Sequence, residues 1–346
     1  MKAYSKAGCY QNKEEILLKD NKMKTSFLVT FLATIFLSTT IFVSASSNKS
    51  TQIEVPMEKL SINYISDVVF SQPSIYGYPN FPLQMDILKP NSKDSLPAVV
   101  FITGGGFMAA NKDSYLQQRL DIAEAGYVVA SIDYRVTPQS SFPAPLEDVK
   151  SAIRFLRANA SKYGIDSDKI GVMGDSAGGY LAAFAGTTNH LKDFDKGEYL
   201  NQSSDVQAVI DLYGLSDLTK IGYGYSEEVQ NMHKSPSSPE AMLVNGPAVF
   251  GPGGSIFDDV EKAAKANPIT YVTNDDPPFL IMHGDKDTLV SPNQTEILHN
   301  ALVAKGVDST HYVVKGAGHG GEQWAQPKII NIMIEFLDKN LKGKIN

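Results

Sequence analysis

Ser176 lies in a glycine-rich turn between a predicted strand, 169–173, and a predicted helix of small residues, 177–186. The turn reads Gly-Asp-Ser-Ala-Gly-Gly over residues 174–179, which matches G-x-S-x-G in the strand–turn–helix context that exposes a nucleophilic serine. Glycines are needed beside the serine because side chains there would collide with neighbouring backbone. The helix that follows directs its positive end at the serine and favours an oxyanion there. An ordinary glycine-rich turn is the alternative, and the residues below favour a nucleophile.

A second glycine-rich loop, Thr103-Gly104-Gly105-Gly106-Phe107, follows a continuous apolar run at 97–102. Acyl transfer requires backbone N–H groups directed at the oxyanion that forms in the transition state. The N–H groups of Gly105, Gly106 and Ala177 are the predicted donors, because glycine lets the backbone approach a substrate closely. A phosphate-binding loop is the alternative, but no lysine follows as the P-loop pattern requires.

Two later loops offer an acid and a base. His319 lies between glycines after the last predicted strand, and Asp285 and Asp287 follow the strand predicted at 278–283. Taken singly, these would be ordinary turn residues. In the order serine, aspartate, histidine they predict a catalytic triad, in which His319 accepts the serine proton and the aspartate orients the ring. We favour Asp287 because Asp285 falls in the first turn, whereas Asp287 lies where the loop has turned toward the neighbouring strand.

From about Leu83 onward, apolar strands alternate with helical stretches. This alternation predicts an α/β fold with a parallel sheet and helices on both of its faces. Capping-box patterns predict that two of the helices begin at Ser114 and at Ser291. The predicted strands are 83–88, 97–102, 127–132, 169–173, 206–212, 278–283 and one that ends at 314.

The stretch from about Asp217 to Ala266 interrupts the alternation. A structureless loop of this length is unusual inside a compact domain. We interpret the stretch as a cap inserted over one end of the sheet. Its apolar and aromatic side chains are expected to line the acyl or alcohol pocket, or to form a small core of the cap itself; they are Tyr223, Tyr225, Met232, Met242 and Phe250.

The composition is that of an acidic globular protein of 346 residues, with 42% hydrophobic residues, 20% charged residues and a formal net charge of -7. A general nucleic-acid-binding protein would need a basic face, so small molecules, sugars and proteins remain as partners. Cys9 is the sole cysteine, which excludes a disulfide framework and a C-x-x-C metal site. The six histidines show no metal-ligand spacing, so we predict no metal site.

The N-terminal segment predicts export. An uncharged apolar run, Thr25–Val43, ends in small residues that fit a signal-peptidase site after Ala45. We therefore predict a signal peptide at 23–45, an upstream extension at 1–22, and a secreted or cell-envelope domain at 46–346. A membrane anchor that stays uncleaved is the alternative, because the run is close to the ~20 residues that span a bilayer.

Several motifs together identify a resemblance to a known family. They are GGGF at 104–107, Asp133-Tyr134-Arg135, Phe142-Pro143-Ala144, Glu147-Asp148 and GDSAGG at 174–179. With them, residues 99–185 resemble the esterase/lipase branch of the α/β-hydrolase superfamily that includes the hormone-sensitive-lipase-like esterases. Residues 235–240 and 268–290 are more similar to the exported feruloyl and acetyl-xylan esterases.

This resemblance implies an α/β-hydrolase fold with a mostly parallel eight-stranded sheet, a carboxylic-ester substrate and no cofactor. It also implies Ser176, Asp287 and His319 as the triad and the Gly105, Gly106 and Ala177 amides as the oxyanion hole. The sequence departs from the family at Thr103, which stands where these esterases usually have a histidine. Because of that departure, the resemblance does not fix how rigid the loop is or which subfamily the chain belongs to.

Three functions are compatible with these residues. The first is an exported serine esterase that hydrolyses small or carbohydrate-linked esters through an acyl-enzyme. The second is a serine peptidase of the prolyl-oligopeptidase kind, although residues 46–80 are too few for its usual propeller domain. The third is a non-catalytic binding protein, which usually lacks a member of the triad.

Overall fold

The computed structural model describes residues 50–249 and 251–343. The predicted signal peptide, the upstream extension and Phe250 lie outside the described residues. Within them, eight strands form one sheet, in the order β1-β2-β4-β3-β5-β6-β7-β8. The strands are β1 (Ile62–Ser71), β2 (Leu83–Pro90), β3 (Leu96–Ile102), β4 (Val128–Ile132), β5 (Ile165–Asp175), β6 (Ala208–Leu212), β7 (Phe279–Gly284) and β8 (Ser309–Val314).

The sheet is parallel from β4 to β8 and antiparallel only where β2 pairs with β1 and β4. The central strands β4 and β6 are buried along their whole length, as expected of strands covered on both faces. The edge strand β1 is missing from the strands that we predicted. Half of the residues of β1 are exposed and the strand pairs with β2 alone, so it lacks the apolar pattern that identifies inner strands.

Helices cover both faces of the sheet. Helices α1 and α9 pack on one face, and α2, α4 and α8 pack on the other. The helices are α1 (Leu116–Glu124), α2 (Ala144–Ala158), α3 (Ala160–Tyr163), α4 (Ala177–Thr187), α5 (Glu227–His233), α6 (Pro239–Asn245), α7 (Val260–Lys265), α8 (Asn293–Ala304) and α9 (Pro327–Leu337). No helix in the described ranges is both long and apolar enough to cross a bilayer.

The two predicted capping boxes are wrong. Helix α1 begins at Leu116 after Tyr115, whose backbone is left-handed and whose side chain does not cap the helix. Helix α8 begins after Pro292, also without a side-chain cap. The Gln294 side chain instead accepts hydrogen bonds from the amides of Ser216 and Asp217, at 2.8 and 2.9 Å. A long-range contact therefore replaces the local one that the pattern predicted.

The chain between β6 and β7 is helical in its described part. It contains α5, α6 and α7 together with short 3₁₀ helices at Leu218–Lys220 and Pro268–Tyr271. Each of the three α-helices begins with a side-chain cap, from Ser226, Ser238 and Asp259 respectively. Local capping therefore starts these helices, in contrast to α1 and α8.

Candidate active site

Ser176 sits at the junction of β5 and α4 with φ 52° and ψ -120°, a conformation that non-glycine residues rarely adopt. The flanking glycines are required by close backbone contacts. A Cβ on Gly174 would lie 2.3 Å from the carbonyl oxygen of Gly178, and a Cβ on Gly178 would lie 2.0 Å from that of Ile102. The turn therefore raises the serine hydroxyl above the sheet and places it at the N-terminus of α4.

The structure brings Ser176, His319 and Asp287 together. His319 Nε2 lies 2.8 Å from Ser176 Oγ, and His319 Nδ1 lies 2.6 Å from Asp287 Oδ2. The three residues follow β5, β8 and β7 respectively, and the carboxyl ends of these parallel strands meet at one edge of the sheet. The arrangement can transfer a proton from the serine to an imidazole that the carboxylate orients.

Asp287 is surrounded by hydrogen-bond donors. Its Oδ1 accepts the amides of Leu289 and Val290, and its Oδ2 accepts from His283 and His319. Burial alone would raise the pKa of Asp287, but the hydrogen bonds from His283, His319 and the Leu289 amide hold it well below its usual value. The carboxylate is therefore ionised throughout the neutral range, as an orienting group for His319 must be.

Asp285, the alternative acid, points elsewhere. It is exposed, and its Oδ1 accepts the amide of Gly316 at 2.6 Å. The structure thus places Asp287 against His319 and uses Asp285 to brace the loop that follows β8.

His283 is a second histidine that contacts Asp287, and our sequence analysis assigned it no role. Its Nε2 lies 3.0 Å from both Asp287 Oδ2 and the carbonyl oxygen of Val290. Both of these atoms are acceptors, so Nε2 carries the proton. Its Nδ1 lies 2.9 Å from Thr295 Oγ1. The ring is fully buried and shares Asp287 Oδ2 with His319, so it helps to fix the carboxylate.

The imidazole of His319 also packs against aromatic rings that the sequence analysis did not single out. The Tyr213 ring lies 4.9 Å from the His319 ring, centroid to centroid, and Trp324 packs against Tyr213 at 4.5 Å. Trp324 Nε1 donates to the carbonyl oxygen of Gly318, next to the histidine. These contacts limit the rotation of the His319 loop.

Gly105, Gly106 and Ala177 line the same cavity as Ser176. Their backbone N–H groups donate to no acceptor in the described ranges, so they are available to a substrate oxygen. The loop is closed by the amides of Met108 and Ala109, which donate to the carbonyl oxygen of Gly105. The predicted donors therefore share one wall with the serine.

Thr103 holds this loop where related esterases carry histidine. Its hydroxyl oxygen accepts the amide of Asn111 at 3.1 Å, and its carbonyl oxygen accepts the hydroxyl of Tyr134 at 2.8 Å. Asp175, beside the serine, accepts the amide of Gly104 at 3.0 Å. Burial raises the pKa of Asp175, although the Gly104 amide and the Tyr115 hydroxyl counter this. The loop is therefore tied at both ends without the histidine.

Two of the family motifs, Asp133-Tyr134-Arg135 and Glu147-Asp148, meet in an ion-pair network near this loop. Arg135 Nη2 lies 2.8 Å from Asp148 Oδ1 and 3.1 Å from Glu147 Oε2. The carbonyl oxygen of Phe107 accepts from both the amide and the hydroxyl of Thr137, two residues after the arginine. The network fastens the segment after β4 to α2 and so supports the oxyanion loop.

The cavity over Ser176 has a volume of about 640 Å³. Its wall from the segment between β6 and β7 comprises Leu215, Ile221, His233, Pro239 and Glu240. Four of the described residues that we expected to line it, or to form the core of the cap, do not line it. Tyr223 and Met232 are exposed, the Tyr225 hydroxyl donates to the carbonyl oxygen of Asp287, and Met242 is half-buried away from the cavity. Phe250, the fifth, is outside the described residues.

In residues 50–249 and 251–343, no three His, Cys, Asp or Glu side chains are grouped closely enough to hold a metal ion.

The family model BD-FAE matches residues 85–302, more than half of the chain. Among curated proteins, esterase LipC of Mycobacterium tuberculosis is 32% identical over 65% of this chain and 53% of its own length. The isoprenylcysteine alpha-carbonyl methylesterase ICME of Arabidopsis thaliana is 27% identical over 68% of this chain and 53% of its own length. The chain spans about half the length of the curated relatives it matches.

Two solved structures share this architecture. A truncated carbohydrate esterase from gut microbiota has 30% identity and a TM-score of 0.71, over 82% of this chain and 98% of that one. A bifunctional GH43-CE protein of Bacteroides eggerthii has 32% identity and a TM-score of 0.69, over 80% of this chain and 38% of that one. The chain therefore belongs to the BD-FAE family and has the α/β-hydrolase fold.

Proposed function

We propose that this protein is a serine hydrolase that cleaves carboxylic esters of small or carbohydrate-linked alcohols. The observation that carries the proposal is the hydrogen-bonded series Ser176 Oγ, His319 Nε2, His319 Nδ1 and Asp287 Oδ2, with distances of 2.8 and 2.6 Å. Esterases among the relatives and structural neighbours support ester chemistry over other acyl transfers.

The proposed mechanism has two half-reactions. His319 accepts the Ser176 hydroxyl proton while Oγ attacks the ester carbonyl carbon, and the amides of Gly105, Gly106 and Ala177 stabilise the oxyanion. When the tetrahedral species collapses, the carbon–oxygen bond to the alcohol breaks and His319 returns the proton to the departing oxygen. Water, activated by His319, then hydrolyses the acyl-enzyme and regenerates the serine.

Asp287 stabilises the imidazolium that forms in each half-reaction. Because it accepts from Nδ1, it keeps Nε2 of the neutral ring free to receive the serine proton. His283 and the amides of Leu289 and Val290 keep the carboxylate in place without neutralising it.

The proposed substrate class rests on the cavity and on the neighbours. The cavity is of a size that holds a small ester together with part of its alcohol, and its walls are mostly apolar. One structural neighbour is described as a carbohydrate esterase, which supports a carbohydrate-linked ester as the substrate.

The proposal is tested with a panel of esters and one amide. The purified protein should hydrolyse p-nitrophenyl acetate and butyrate, and comparison with p-nitrophenyl octanoate, methyl ferulate and acetylated xylan ranks the acyl and alcohol groups. An aminoacyl-proline amide should not be cleaved. A serine-directed phosphonate should abolish turnover and add its mass at Ser176. Cleavage of the amide in preference to every ester would overturn the proposal in favour of a peptidase.

We also propose that the protein is exported, on the strength of the apolar run Thr25–Val43 and the small residues that follow it. Expression in a bacterial host followed by mass determination of the mature protein tests this. Export with cleavage predicts an N-terminus at Ser46. An intact N-terminus in the membrane fraction would favour the anchor instead.

A further inference from the structure

His233 and Glu240 form a polar pair in the wall of the cavity over Ser176. His233 is the last residue of α5, and Glu240 lies in the first turn of α6. His233 Nδ1 lies 2.7 Å from Glu240 Oε1. Glu240 is 1% exposed, so its carboxylate is held among side chains rather than in bulk solvent. Neither residue takes part in the series that joins Ser176, His319 and Asp287.

Each partner has one polar atom that makes no hydrogen bond to a described residue. Glu240 Oε2 accepts no hydrogen bond from a described residue. It is also not one of the fully buried unpaired atoms, so part of its surface is accessible. His233 Nε2 likewise has no hydrogen-bond partner within the described ranges and is accessible. Since both residues line the cavity, these two atoms can reach a ligand that occupies it.

Leaving Glu240 Oε2 without a hydrogen-bond donor is unfavourable in free energy in these surroundings, unless a ligand or water supplies one. Leu215, Ile221 and Pro239 belong to the same wall, and a carboxylate against apolar groups is unfavourable without hydrogen-bond donors. One oxygen would be enough to fasten α5 to α6. The second oxygen is therefore free for recognition.

The chemistry of the pair selects hydroxyl donors. The carboxylate accepts the proton on His233 Nδ1, so in the neutral ring Nε2 is an acceptor, and Glu240 Oε2 is a second acceptor. Acceptors that lack donors of their own match the hydroxyl groups of an uncharged polyol. An alkyl group at the same place would leave the carboxylate oxygen without a donor, which is unfavourable.

We propose that His233 and Glu240 form a polyol subsite that binds hydroxyl groups on the alcohol portion of the ester. This inference rests on the proposed function and deepens it, because it selects sugar esters over alkyl esters. Ser176 lies in the same cavity, so the ester carbonyl and the sugar hydroxyls can be bound together.

The test compares two acetates that share the acyl group and a six-membered ring. One is a monoacetylated methyl β-D-xylopyranoside, and the other is cyclohexyl acetate, which lacks the hydroxyls. The measured quantity is the ratio of kcat/KM for the sugar acetate to kcat/KM for cyclohexyl acetate. In Glu240→Leu this ratio should fall about 10- to 100-fold, the size expected from losing a hydrogen bond to a charged group.

A second variant separates recognition from packing. Glu240→Gln keeps a carbonyl oxygen for His233 but replaces Oε2 with an NH₂ group, so it should fold and still lower the ratio by about threefold or more. Glu228→Leu, at an exposed position on α5, is the matched control and should leave the ratio within about twofold. If both Glu240 variants fold and keep the wild-type ratio, the subsite does not exist.

Two further measurements distinguish this inference from the proposed function. If the wild-type protein hydrolyses neither acetate, the proposed function fails, and the subsite is then tested by calorimetric binding of methyl β-D-xylopyranoside. Binding at least tenfold weaker in Glu240→Leu supports the subsite, and equal binding overturns it. A Glu240-dependent preference for acetylcholine over the sugar acetate would show a cation site and overturn the polyol assignment.

Discussion

The strand-end loops that carry Ser176, Asp287 and His319 differ from the helical segment between β6 and β7 in what determines their geometry. The loops leave neighbouring parallel strands, so the register of the sheet fixes where each side chain emerges. The helical segment begins its helices with local caps, but its side chains meet the cavity only through the way the helices pack. The sheet therefore positions the residues of the proposed triad, and the packing of the helices positions the side chains of the cavity wall.

The largest effect is expected when the proposed nucleophile is removed from the loops that follow the strands. Ser176→Ala should lower kcat for p-nitrophenyl acetate by about 10⁴- to 10⁶-fold, because members of a triad act as a unit. The melting temperature should stay close to that of the wild type, since only one hydroxyl group is lost. A variant that kept a tenth of the wild-type turnover would refute the assignment.

Substitution of the two aspartates tests which loop position the sheet selects. Asp287→Asn should lower kcat by about 10⁴-fold, because the amide stabilises the wrong tautomer of His319. Asp285→Asn is the matched control and should change kcat by less than about threefold, since its oxygen only braces the Gly316 amide. Steady-state kinetics and melting curves of both variants decide the matter, and the reverse ranking would assign the acid to Asp285.

The strands beneath these loops contain a buried carboxyl group that should make the stability of the protein depend on pH. Asp211 on β6 is fully buried, its Oδ2 has no partner in the described part of the chain, and burial raises its pKa to about 7. The unfolded chain loses this proton near pH ~4, before the folded chain does, so stability should fall as the pH rises from about 4 to 7. Above that range the loss of stability from this group is complete.

Asp211→Asn removes the titration and keeps the oxygen that accepts the Gly214 amide. Its free energy of unfolding relative to the wild type should rise between pH 4.5 and pH 8, by on the order of a few kcal/mol. Urea denaturation at the two pH values measures the difference. A difference that stays constant or falls between the two pH values would contradict the sign.

The smallest expected effect lies in the helical segment. Ile221→Ala should enlarge the cavity and raise the ratio of kcat/KM for p-nitrophenyl octanoate to that for the acetate on the order of tenfold, the scale of apolar pocket discrimination. Met232→Ala, at a position that is 63% exposed, is the control and should leave the ratio unchanged. An equal response of the two variants would mean that the segment acts through its general stability rather than by lining the cavity.

The sheet-borne part was largely predictable from sequence. The strands before Ser176 and Asp287 contain apolar runs, and the glycines around the serine reflect contacts as close as 2.0 Å for an added Cβ. Of the strand before His319, which is partly polar, only the end was predicted. The edge strand β1 was not predictable, because one partner and an exposed surface impose little pattern on its residues.

The helical segment shows where the prediction from sequence ended. Composition indicated an insertion, but apolar character did not distinguish the exposed Tyr223 and Met232 from the buried Ile221, which lines the cavity. The capping-box pattern at Ser291 likewise failed, because the amides of Ser216 and Asp217 bind the Gln294 side chain. These outcomes depend on residues distant in the chain.

The sequence by itself determined the fold class, the elbow of Ser176 and the loops that carry Asp287 and His319, because strand periodicity and the G-x-S-x-G spacing are local patterns. Only the tertiary structure decided that His283 binds Asp287 and that Glu240 and His233 line the cavity. The physical reason is that these contacts depend on how a loop folds back on its strand and on how short helices pack, and no local pattern records which side chains will be buried there.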